Sequence, residues 1–236
     1  MIRYRTTWVT TGQIVMLIGL GFWSCSPGKE AERDLSTYYF PLDDFPSTGL
    51  TYIYANMQDT TAEPETWHFN RVAQGRMESI NYGPDNHIVQ QQYDRFVPNG
   101  VLTDSLSLYS YDSLGQATRI PVKVISPNRF PFDAIDSSKV WLTHLDWYQP
   151  GDSLHIVLQR RRKFMGPAEW NDHGKTIPAI RFKTEDTYET ESAGWTTSTW
   201  TGEEIYAMHQ GLVYYKRNIS GDMTLEFKLK QIKTRN

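Results

Sequence analysis

The chain has 236 residues, of which 39% are hydrophobic and 14% aromatic, and a formal net charge of −3. That length suits one domain or two small ones. The near balance of charge excludes a disordered charged tail and gives no electrostatic reason to bind nucleic acid. Eight Trp and fourteen Tyr suit pleated, half-buried surfaces, and also stacking on carbohydrate or lipid.

Read from its N-terminus, the chain carries Arg3 and Arg5, then an uncharged apolar run from Ile14 to Trp23, then Ser24 and Cys25. A basic start, a short apolar core and a small exit residue describe a secretory signal over residues 1–24. The apolar run is half of the roughly 20 residues that a membrane-spanning helix needs. Cys25 is the single cysteine, so no intrachain disulfide can form. Ser24–Cys25 resembles the bacterial lipobox, although Phe22 and Trp23 depart from its usual residues. The resemblance implies that Cys25 receives a diacylglycerol and becomes the first mature residue. Removing Arg3 and Arg5 with the signal leaves 22 basic against 27 acidic residues, a formal charge of −5. Residues 25–37 read as a polar tether through Pro27, Gly28, Lys29, Glu30, Glu32 and Asp34. "GKEAERD" loosely resembles the export signal of surface lipoproteins of the Bacteroidetes, and equally an ordinary solvated linker.

From Tyr38 onward the pattern is one strand after another. The runs are "GLTYIYANM", "ETWHFNRVA", "GRMESINYG", "HIVQQQYDRFV", "VLTDSLSLYSY", "ATRIPVKVI", "KVWLTHLDWYQ", "DSLHIVLQRRRKF", "AIRFKTEDTYETES", "GWTTSTWTGEE", "GLVYYKRN" and "MTLEFKLKQI". Gly, Pro, Asn and Asp bound them, as in "PDN", "PNG", "PGD" and "ISGD". Their recurrence predicts an antiparallel sheet, half-barrel or sandwich forming a single β-rich domain over residues 38–236. Helix is scarce. "GEEIYAMHQG", Gly202 to Gly211, is the best candidate, with two acids in its first turn and a closing Gly. "FMGPAEWNDHG" reads as loop because of Gly166 and Pro167.

Motifs for chemistry are few. "HGKT", His173 to Thr176, lacks the upstream Gly of a phosphate-binding loop. The six histidines have no metal-site spacing, and no G-x-S-x-G is present. The pairs Asp43–Asp44 and Glu203–Glu204 read as solvated acids. No catalytic residue, metal or cofactor is therefore expected, and the chain reads as a non-enzyme. In "RRRK", alternation puts Arg160 and Arg162 on one sheet face and Arg161 and Lys163 on the other. A charged strand end that discourages edge pairing is the favoured reading, and a contact with an anionic headgroup the second. "DTT" at Asp59 and "DSL" at Asp104, Asp112 and Asp152 resemble the O-glycosylation sites of exported Bacteroidetes proteins. That implies Thr60, Ser105, Ser113 and Ser153 as acceptors, with strand-entry turns as the competing use.

Two segments carry a family resemblance. Phe40, Pro41, Leu42, Gly49, Tyr52 and Tyr54 look like the opening of a group of uncharacterised β-rich bacterial lipoproteins. Tyr206, Ala207, Gly211, Leu212 and Val213 look like their closing motif, with His209 a departure. This group resembles the lipoprotein-sorting superfamily, whose fold is a strongly curved antiparallel sheet around an apolar cavity. The resemblance implies an open half-barrel with one or two short helices, one of them crossing the open end. It also implies a lipid-anchored outer-membrane protein of the bacterial envelope, attached to the membrane through Cys25. Its concave face would bind an apolar or lipid ligand, or an envelope protein partner. A surface carbohydrate-binding component using exposed aromatics is the alternative.

Overall fold

The computed structural model describes residues 34–40, 45–133, 139–151, 154–221 and 223–234. The signal, Cys25 and most of the tether lie outside the described residues, as do Pro41, Leu42, Asp43, Asp44 and Ser153.

Twelve antiparallel strands follow one another. They are β1 (Leu50–Asn56), β2 (Glu65–Ala73), β3 (Arg76–Tyr82), β4 (Ile88–Val97), β5 (Gly100–Tyr111) and β6 (Ala117–Pro131). Then come β7 (Val140–Gln149), β8 (Leu154–Asp172), β9 (Lys175–Glu191), β10 (Trp195–Ala207), β11 (Gly211–Ser220) and β12 (Met223–Thr234). Each pairs with its successor, and β12 returns to pair with β1 from Leu50↔Thr234 to Asn56↔Phe227. The result is a closed barrel, which corrects the expected open half-barrel. An open sheet would leave two edge strands with unpaired backbone groups, and closure removes both.

Alternation sorts the side chains. Leu50, Tyr52 and Tyr54 of β1 point inward and are buried. On β8 and β9 the outward positions Arg161, Lys163, Arg181 and Lys183 are exposed, while Arg162, Phe182 and Thr184 between them are buried. Charges at outward positions are the opposite of the apolar band that lipid-facing strands present.

Two further expectations are overturned. Gly202–Gly211 is not a helix. It is the end of β10, a turn, and the first residue of β11. Nor is "FMGPAEWNDHG" a loop, because β8 runs through it to Asp172. A register shift between Phe164 and Gly166 absorbs the Gly and Pro there.

A short α-helix, α1 (Ser36–Tyr39), seats in one end of the barrel. Leu35 N–H donates to Phe132 O at 2.9 Å, and His209 N–H donates to Thr37 O at 2.8 Å. Leu35, Tyr39 and Phe40 pack there against Tyr52, Phe69, Phe130 and Tyr206. Leu35, near the end of the stretch read as tether, is thus part of the core. Gly211 lies beneath this plug at φ +79°, its missing Cβ leaving room for the Tyr39 carbonyl.

Candidate functional site in the barrel lumen

The lumen is not uniformly apolar. β8, β9, β10 and β11 are neighbours, and their inward positions bring five charged side chains together. Register places Arg160 opposite Asp186, Arg162 opposite Thr184, and Glu204 opposite both Phe182 and Tyr215. Arg160 donates to Asp186 through Nε at 2.7 Å and Nη2 at 2.6 Å. Arg217 Nε donates to the same carboxylate at 3.2 Å, and its Nη2 donates to Glu204. Arg162 Nε donates to Glu204 at 2.8 Å, and its Nη1 to Thr143 Oγ1 at 3.2 Å. The links run Arg160–Asp186–Arg217–Glu204–Arg162, three guanidiniums on two carboxylates.

Burial by itself would raise the Glu204 carboxyl, but the guanidiniums of Arg162, Arg217 and Arg160 outweigh it and hold it well below its ordinary value. Burial also opposes ionisation of Asp186, and Arg160 and Arg217 again bring the net shift downward. Tyr206 donates to Glu204 at 3.0 Å, and burial together with that carboxylate pushes its phenol up to about 12. Asp94 differs. Burial raises it, and the charge of Arg129 and hydrogen bonds from Gln92, Thr103 and Tyr39 offset this only in part.

Two adjoining cavities occupy the lumen. One, of about 270 Å³, has an aromatic wall of Tyr54, Trp67, Phe69, Trp200 and Tyr215, with Glu65 among them. Glu65 accepts hydrogen bonds from Trp67, Asn81 and Tyr215. The other, of about 250 Å³, is walled by Leu106, Leu108, Leu145, Trp147 and Leu158. Gln90, Arg129, Arg160, Arg162 and Tyr188 border both. Arg160 keeps 22% of its side-chain surface accessible against 1% for Arg162, and that surface faces the cavities it borders. A concave, partly open space with aromatic walls and a few converging polar groups can hold a small amphipathic molecule.

The arginines at 160 and 162 were legible as sharing a face, and that face is the lumen. The edge-protection reading is corrected, since a closed barrel has no edge to protect. Glu204, read as a solvated helix-start acid, is buried in the same network. Asp186, Arg217, Arg129 and Asp94 were missed. Asp186, Arg217 and Asp94 are buried on their strands, and Arg129 sits beside buried Phe130 where the β5–β6 register shifts. Thr60, Ser105 and Ser113 are all exposed. Asp59 accepts from Thr61 N–H at 2.9 Å, and Asp112 accepts from the N–H groups of Leu114 and Gln116 at 2.9 and 2.8 Å. These are turn-forming bonds. Asp104, beside Ser105, pairs instead with Arg95 at 2.6 Å.

No family model matches the chain, and no curated protein does. Solved structures that resemble it include two lipoproteins by their own descriptions. One is a "putative lipoprotein" from Parabacteroides distasonis, 15% identical, with a TM-score of 0.48, covering 80% of this chain and 97% of that one. The other is the hypothetical lipoprotein YmcC from Escherichia coli, 11% identical, with a TM-score of 0.38, covering 82% and 91%. At these scores neither likeness carries an argument about this chain.

Proposed function

We propose that the protein is a non-enzymatic, lipid-anchored component of the bacterial cell envelope whose barrel lumen holds an apolar or amphipathic ligand. The observation that carries the binding half is the pair of adjoining cavities walled by aromatic and leucine side chains inside a closed barrel. The anchoring half rests on the basic start, the short apolar run and Ser24–Cys25. The plug fits both halves. Leu35 is buried ten positions after Cys25, so the anchor and the filled end of the barrel lie close together along the chain.

Native mass spectrometry of protein purified from its host tests the binding half. A co-purifying small molecule, released when the barrel is denatured, is the expected result, and a bare chain counts against it. Cell fractionation tests the anchor. Cys25→Ala is expected to leave the membrane fraction, and a variant that stays there counts against lipidation.

A further inference from the structure

The charged groups of the lumen are unevenly placed. Four guanidiniums (Arg129, Arg160, Arg162 and Arg217) face four carboxyls (Glu65, Asp94, Asp186 and Glu204), but the two signs are not spread alike over the two cavities. The cavity walled by leucines is bordered by Arg129, Arg160 and Arg162 and by no carboxylate. Asp94, the acid nearest in effect to Arg129, does not border it, and burial works against its ionisation. Glu65 borders only the aromatic cavity and is engaged by three donors there. A charge-assisted hydrogen bond is stronger than a neutral one, and a bound anion would be the negative group that this cavity's own wall lacks. Donors are available. Arg160 holds Asp186 through Nε and Nη2, not Nη1, and Trp147 Nε1, at the same cavity, is buried without a partner among the described residues.

We propose that the lumen selects an amphiphilic anion, with its carboxylate or phosphate on Arg129, Arg160 and Arg162 and its hydrocarbon part among Leu106, Leu108, Leu145 and Leu158. The inference rests on the reading of the lumen as a ligand site. A neutral lipid or sugar would fill space but offer the three guanidiniums no charge-assisted hydrogen bond. A bare oxyanion would meet the charge but not the leucines.

Equilibrium dialysis of the full-length chain against decanoate, decyl phosphate, decanol and inorganic phosphate, each below any micelle concentration, tests it. Decanoate and decyl phosphate are expected to bind at least about tenfold tighter than decanol, the ratio that one charge-assisted hydrogen bond supplies. Inorganic phosphate is expected to bind more weakly than decyl phosphate. Arg160→Gln should bring decanoate down to the level of decanol, and Leu158→Trp, which fills the cavity, should weaken both. The ratio between probes needs no variant, so a poorly folding Arg160→Gln does not spoil the test. Equal binding of decanol and decanoate overturns the anion inference while leaving a lumen ligand in place. Inorganic phosphate binding as tightly as decyl phosphate overturns the hydrocarbon half. Binding of none of the four overturns the ligand reading itself.

Discussion

Arg162 on β8 and Glu204 on β10 meet inside the barrel at 2.8 Å, with side chains only 1% and 3% accessible. Glu204 also takes Arg217. Replacing it with Gln leaves two guanidiniums facing a neutral amide. Glu204→Gln is expected to cost about 3–5 kcal/mol, the usual penalty for removing one partner of a buried pair. Replacing Arg162 and Glu204 together by Met and Leu should cost less than the single change. Urea denaturation of the three chains checks the order.

The pH dependence of stability has two opposed parts. Glu204 and Asp186 are held below the ordinary carboxylate value. Their contribution is present above about pH 4, the unfolded value, and is lost as pH falls through their folded values. Asp94 is raised, so its contribution is present below about pH 4 and is lost as pH rises through its folded value. Asp94→Asn is therefore expected to flatten the stability curve above about pH 4 and to keep the loss in acid. Denaturation midpoints across this range decide it, and an unchanged slope above pH 4 would mean that Asp94 does not titrate in this way.

Gly211 sits under the plug. A Cβ there would lie 2.5 Å from the Tyr39 carbonyl oxygen, on a backbone at φ +79°. Gly211→Ala is expected to cost about 1–3 kcal/mol through strain and overpacking. It should also loosen residues 34–40, which limited proteolysis would detect as faster cleavage in that segment.

Two tyrosines of β1 reach across to the start of β11. Tyr52 donates to Gln210 O at 2.7 Å, and Tyr54 donates to Leu212 O at 2.8 Å. Each Tyr→Phe change leaves a carbonyl without that donor and is expected to cost about 1 kcal/mol. Thermal unfolding of the single and double variants measures this, with a departure from additivity expected because the two rings touch.

Three of the four acceptor sites read from the sequence are exposed. A glycan on any of them would add to the intact mass of protein from its native host, and Thr60→Ala, Ser105→Ala or Ser113→Ala would remove the share carried at that site. A chain carrying the lipid mass alone would assign the Asp-Thr and Asp-Ser pairs to turn formation.

The strand-rich character was legible because Val, Ile, Thr and aromatic runs alternate with turn residues, and the twelve runs correspond in order to the twelve strands. Closure was not, because nothing local in "GLTYIYANM" or "MTLEFKLKQI" says that these two distant segments pair. The residues of β10 show how the lumen was hidden. Trp200, Glu204 and Tyr206 border it, but a buried face that mixes acids with aromatics does not look hydrophobic. Two consecutive acids before an apolar stretch and a Gly then imitate a helix start and stop. The same masking made Arg160 and Arg162 look like a charged strand end.

The pairing of β1 with β12 also sets a condition on when the protein can form. The two partners of that seam are separated by nearly the whole described chain, so closing it carries the loop-closure cost of a very long-range contact. A nascent polypeptide lacking β12 has no way to complete the ring, and the lumen charges have no sealed interior to occupy. Closure of the barrel is therefore a late event in the making of the chain, whichever strands have paired before it.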